Sequence, residues 1–204
     1  MRAIEDPRVS EVLEFWFGDH DGETVPERQE DMWFKNGRNY DGEIRARFAE
    51  WLDPAGAGGM DSWAATPAGR LALIVVLDQF PRHIHRETSR QFVYDAKARE
   101  ICVAGLESGH DQQLRPLERA IFYLPLEHAE DRLLQERCQS AYTALAGSVG
   151  EANRETYQNY LHYASLHRDI IVRFGHFPHR SALLGRSLTA EEKAFLQEPD
   201  SSFL

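Results

Sequence analysis

Three short segments concentrate the side chains able to hold charge or move a proton. LDQFPRHIHR (77–86) carries Asp78, Gln79 and Arg82; YLPLEHAED (123–131) carries His128 and Glu130; VRFGHFPHR (172–180) carries Arg173, His179 and Arg180. Guanidinium groups match carboxylate or phosphate through paired N–H donors, so Arg82, Arg173 and Arg180 are candidates to hold an anionic group. Imidazole exchanges protons near neutral pH, which makes His128 and His179 candidate acid/base groups, oriented by Glu130 or Asp78. Asp78 and Gln79 follow the apolar run LALIVVL, so a polar pair emerges at the end of a buried helix. Such a pair is satisfied by partners or faces a cleft.

Each feature also has a purely structural explanation. Proline disfavours α backbone in the residue before it, so Phe80 and Phe177 are each expected at a helix end. Cations past a helix C-terminus interact favourably with its dipole, by about 0.3–1 kcal/mol when exposed. Acidic residues such as Glu127, Glu130 and Asp131 are the usual decoration of a helix first turn. Asp78 in a last turn would be unfavourable by the same dipole argument, and Arg82 or Arg180 is expected to offset it.

The chain carries a formal charge of −10, the opposite of what a non-specific nucleic-acid binder needs. Yet from His167 to Arg186 there are four arginines, Arg168, Arg173, Arg180 and Arg186, against Asp169 alone. A basic island in an acidic chain suits a small anionic ligand or an acidic partner, or else pairs with carboxylates elsewhere in the fold. Metal chelation by His128, His176 or His179 with Glu130, as in a metal-dependent hydrolase, has no motif such as H-E-x-x-H behind it, and no metal site is assigned. No cofactor is implied: there is no Gly-rich phosphate loop and no nucleophile signature.

These segments must be positioned by helices. Asp6-Pro7 reads as a cap followed by a first-turn proline, and Val9, Val12, Leu13 and Trp16 recur at helical spacing up to Gly18. Further helices are expected from Asp41 to Asp53-Pro54, from Thr66-Pro67 through the apolar run, from Gln91 to Leu106, from Pro116, from Ala129 to Leu145, and from Glu151 to Phe174 with Gly175 at C′. Thr189 and Glu192 form a capping box for a last short helix. Nothing alternates like a strand, so the fold class is all-α: about eight helices in a helical array or compact bundle. At 42% hydrophobic and 27% charged residues the composition is globular, and 204 residues suit a single domain, 1–204, with a weak possible boundary at the Gly-rich loop 55–60. Cys102 and Cys138 are expected as reduced core thiols. The seven-residue LALIVVL is too short to span a bilayer and the N-terminus lacks a leader pattern, so a cytoplasmic protein without membrane partners is expected.

VLEFWFG (12–18), WF (33–34), GRLALIVVLDQFPRHIHR (69–86), FYLPLEHAED (122–131) and RFGHFPHRSALLGRSLTAEEKAFL (173–196) resemble, in order, the bacterial domain of unknown function 924 family. The resemblance implies an all-helical, tetratricopeptide-repeat-like fold and no established activity. It marks Asp78, Gln79, Arg82, His128, Glu130, His179 and Arg180 as the matching residues. This chain departs from the family pattern at His83 and Ser181, where Asn is usual, and at Ala129, where Ser is usual. A hydrolase using a hydroxyl at 129 is therefore closed to it. The function expected is binding of a small anionic ligand by segments 78–86, 125–131 and 173–181, with acid/base chemistry at a histidine. The alternative is a non-catalytic scaffold that binds another protein.

Overall fold

The structure, a computed structural model, describes residues 6–199 and 201; the remaining ends of the expected 1–204 domain lie outside the described residues. The chain is all-α, and no strand occurs among the described residues. Helix α1 (Pro7–Phe17) begins where the Asp6 carboxylate accepts from Arg8 N at 3.0 Å and ends at Gly18, whose φ of +64° favours glycine. A short α2 (Glu27–Glu30) runs into a π-helical turn, Asp31–Lys35, that stacks Trp33 on Trp16 with centroids 5.7 Å apart.

Helix α3 spans Asp41–Gly56 and passes through Pro54, where the sequence predicts an end. The lost N–H costs one helical bond, but the extra turn places Ala55 wholly in the core. The Gly-rich segment 55–60 is therefore partly helix, and one continuous core cluster joins Leu52 and Ala55 to Met60 and Trp63 across it.

The larger correction concerns Pro81. Helix α4 (Pro67–Ile74), capped by Thr66 Oγ1 accepting from Gly69 N, continues through a π-helical turn, Val75–Gln79, directly into α5 (Phe80–Ile84). Phe80 N donates to Val75 O, five residues back, and this shift in register puts Pro81 in the first turn of a fresh helical segment, where a missing N–H is tolerated. The helix does not stop at Phe80, and Asp78 is not in a last turn; the dipole argument made for it does not apply. Phe80 is driven inward instead, stacked on Phe48 with centroids 4.4 Å apart.

After a 3₁₀ turn at Ser89–Phe92 come α6 (Asp95–Glu107), α7 (Pro116–Phe122), α8 (Leu124–Glu127) and α9 (Arg132–Ala146). Pro125 lies in the first turn of α8, and Asp131 caps α9 by accepting from Leu134 N at 3.0 Å. Helix α10 (Arg154–Phe174) packs along α9 and ends at Gly175, at φ +75°, with its N–H on Ile171 O. A 3₁₀ turn, Pro178–Arg180, and α11 (Ala190–Phe195), with the expected Thr189/Glu192 box, complete the fold.

The main core runs from Val9 to Ala164; a second, small cluster joins Ile170, Ile171 and Phe177 to Phe174 and Phe195. Cys102 and Cys138 are buried and unbonded to each other. No helix among the described residues is long and apolar enough to cross a membrane.

Candidate functional site

The π turn delivers Asp78 to a wholly buried position, where its carboxylate accepts from His128 Nδ1 at 2.9 and 3.0 Å and from Gln79 Nε2. Arg82, one turn on, donates from Nη1 to the Asp78 carbonyl and stands 3.4 Å from its Oδ1. Against the cost of burial, Arg82 and His128 hold the Asp78 carboxyl below the ordinary carboxylate range.

His128 follows α8, whose exit is fixed by Gln135: its Nε2 donates to the carbonyls of Glu127 and Ala129 at 2.7 and 2.8 Å. Asp78 takes the Nδ1 side of the ring, which leaves Nε2 as the basic nitrogen of the neutral tautomer. Burial and Arg82 push the His128 pKa down, against the opposing pull of Asp78, and so favour the neutral ring. The arrangement is that of a base oriented by a buried carboxylate, which would also stabilise the imidazolium once a proton is accepted.

Arg180 arrives from the third segment. Its Nη1 donates to the His128 carbonyl at 3.1 Å, and its Cζ lies 4.4 Å from the Phe177 ring and 4.8 Å from the Phe92 ring. The residue is 6% exposed, and its Nε meets no acceptor among the described residues. Burial and the like charge of Arg82 bring its pKa down to about 10, still charged at neutral pH.

One residue joins the two arginines and was not foreseen in the sequence. Asp95, first residue of α6, accepts from Arg82 Nη1 and Nη2 at 3.1 Å each, and its Oδ2 is 3.6 Å from Arg180 Nη1. Two guanidinium groups and two carboxylates, Arg82 and Arg180 with Asp78 and Asp95, thus balance in charge.

The other expected residues fall elsewhere. Glu130 accepts from Arg186 at 2.8 and 2.9 Å and from Phe177 N at 2.9 Å, so it anchors the segment that carries Arg180. Against burial, those donors keep its carboxyl below the usual range. His179 lies against the Phe177 ring, and burial together with Arg180 lowers its pKa to about 3; it is neutral throughout the physiological range. Arg173 is not with the others: it pairs with Glu191 at 2.9 Å and covers the Phe174 and Phe195 rings.

The basic island is paired internally, Arg168 with Asp169, Arg173 with Glu191, Arg180 with Asp95 and Arg186 with Glu130. Of the two explanations for it, pairing with carboxylates describes each of the four. Among the described residues no three His, Cys, Asp or Glu side chains stand where they would hold a metal ion.

A family model described as "Bacterial protein of unknown function (DUF924)" matches residues 12–200. The fold is similar to the solved structure of a protein of unknown function from Agrobacterium tumefaciens, with a TM-score of 0.80 at 33% identity, over 94% of this chain and 97% of that one. No protein with a curated description matches.

Proposed function

The chain belongs to the DUF924 family of bacterial proteins of unknown function, and from that premise we propose that it binds a small anionic molecule between Arg82 and Arg180 and moves a proton through His128. The observation that carries this reading is the Arg180 side chain: buried, charged, and with an Nε donor that no group among the described residues accepts. A buried donor without a partner costs about 1–3 kcal/mol, and an oxyanion lying in the guanidinium plane removes that cost. His128 Nε2 then supplies the base, with Asp78 fixing the ring.

The test is titration of the purified protein with acetate and with inorganic phosphate, followed by calorimetry and by imidazole NMR. Arg180→Ala should weaken binding at least tenfold, since a charge-assisted hydrogen bond contributes about 1.5–3 kcal/mol. Its circular dichroism should remain helical, and Arg180→Lys should fall between the two. Should the native protein take up neither anion at millimolar concentration, or should Arg180→Ala bind both undiminished, the cluster is a structural network.

One observation favours a second reading, a protein-interaction scaffold. Leu133 on α9 is 71% exposed and lines a hollow of about 530 Å³ with Leu106, Glu136, Arg137, Ser140 and Ala141, a lining that includes none of the Asp78–Arg180 cluster. Its occupant would be an apolar peptide with basic residues, complementary to a chain of charge −10. Fluorescence polarisation with labelled Leu/Lys peptides should then show binding that Leu133→Glu abolishes; equal binding by both proteins would remove this reading.

A further inference from the structure

We infer that Asp95 is the specificity-determining residue of this site: its carboxylate occupies the Arg82–Arg180 fork and yields it to the carboxylate of a ligand. The inference rests on the anion-binding reading above and states what that reading must displace.

Both arginines converge on one carboxylate. The Arg82 fork engages Asp95 through two nearly equal contacts, 3.1 and 3.1 Å, which is the paired geometry guanidinium adopts with a free carboxylate. Arg180 Nη1 approaches the same Oδ2 at 3.6 Å, too long for a good hydrogen bond. Arg180 is therefore drawn to this place without being satisfied there.

The two acids of the cluster differ in their freedom to leave. Asp78 is wholly buried and holds His128, Gln79 and Arg82 at once, so its departure would dismantle the site. The Asp95 side chain is 17% exposed and stands at the head of α6. The residue before α6, Tyr94, provides no side-chain cap, so the first-turn N–H groups of this 13-residue helix add to the attraction for an anion there. The independent sign of a ligand is the buried Nε of Arg180, which Asp95 does not reach.

Charge sets the consequence. With Asp95 in the fork, the two guanidinium groups are already balanced by Asp78 and Asp95, and an anion gains little from charge alone. A ligand must replace the bidentate contact that Asp95 makes. A planar carboxylate can do so and a spherical chloride cannot, so Asp95 acts as an internal competitor that filters ligands by shape. An internal group competes at high effective concentration, and its removal should raise affinity substantially.

Asp95→Asn tests this on the full chain, with acetate, inorganic phosphate and chloride as probes. The expected result is weak acetate binding by the native protein and binding at least tenfold tighter by Asp95→Asn. Chloride should show no comparable gain, and the gain should vanish in Asp95→Asn/Arg82→Ala. Phosphate distinguishes the source of the shared oxyanion chemistry: a smaller gain than acetate supports the carboxylate assignment, and a larger one overturns it. If native and Asp95→Asn proteins bind acetate equally, or the variant more weakly, the anion site stands and the competitor role falls. If neither binds any probe, the anion-binding reading itself has failed. Asp95→Ser serves as a second variant, and both are melted with and without acetate. Asn and Ser variants that fail to fold in either condition would make Asp95 a structural residue only.

Discussion

Glu127 is a carboxyl that the sequence suggests should decorate a helix surface, and it is instead buried at the end of α8. Its Oε1 is 3.2 Å from His167 Nδ1, a spacing that would suit an ion pair, yet burial favours the neutral form of both. Burial, with Asp78 nearby, raises the Glu127 pKa to about 8, and burial lowers that of His167 to about 3. The sign of the effect on stability follows. In the unfolded chain the Glu127 carboxyl ionises near its ordinary 4.5, whereas the folded state keeps the proton to about pH 8. Stability therefore falls as pH rises from about 4.5 to about 8 and is level above that, by an amount on the order of a few kcal/mol. His167 and His179 act on the other side. The unfolded rings take up protons near 6.5 and the folded ones resist until about 3, so stability also falls as pH drops through that window. Glu127→Gln removes only the alkaline loss. The difference in melting temperature, variant minus native, should grow from pH 4.5 to 8 and then flatten, with the acid limb unchanged. Parallel profiles across that range would show that Glu127 is ionised in the folded protein.

At the scale of elements, the sequence is legible wherever a local signal decides the outcome. Asp6-Pro7, Thr66-Pro67 and Thr189 with Glu192 open helices, and Gly18 and Gly175 close them, because capping geometry depends on a few neighbouring residues. It is misleading where core packing overrides that signal. Pro54 and Pro81 each look like a stop, but Ala55 and Phe80 gain full burial when the helix continues. The π turn at Val75–Gln79 that reconciles Pro81 with a continuous helix has no signature in residue type. The two Phe-Pro segments accordingly end up unlike: one lies inside a helix of the main core, the other opens a 3₁₀ turn on the small cluster. Site residues divide in the same way. Asp78, Gln79, Arg82, His128 and Arg180 converge, and each sits in a segment whose polarity contrasts with its apolar surroundings. Asp95 was missed because an acidic residue at a helix start is unremarkable alone; its meaning comes from arginines 13 and 85 positions away. The four-arginine island left open a ligand, a partner or internal carboxylates; Arg168 pairs with the neighbouring Asp169, and the acids that meet the other three lie far off in sequence or in the next helix.

For the molecule as a whole, the division of the core bears on how the site behaves. Asp78 and Arg82 stand on, and His128 directly follows, helical segments of the main cluster, whereas Arg180 belongs to the segment built around Phe177 and the small cluster. That segment is tied to the rest near the site by the Arg180 bond to His128 O and by Glu130, which accepts from Phe177 N and Arg186. Local unfolding free energy follows the apolar contacts and hydrogen bonds broken in opening. A wall held by a small cluster and a few polar ties should open more readily than helix α4 and the π turn after it, where Leu71 to Leu77 are wholly buried. Native-state hydrogen exchange should therefore show faster exchange for amides in 177–186 than in 70–80. Acetate should slow the first group selectively, since a ligand on Arg180 stabilises the closed form in proportion to its binding. The selective slowing should disappear in Arg180→Ala. Equal protection of the two segments, rising and falling together with denaturant, would mean that the chain opens only as one unit. The third wall of the site would then be as firmly held as the other two.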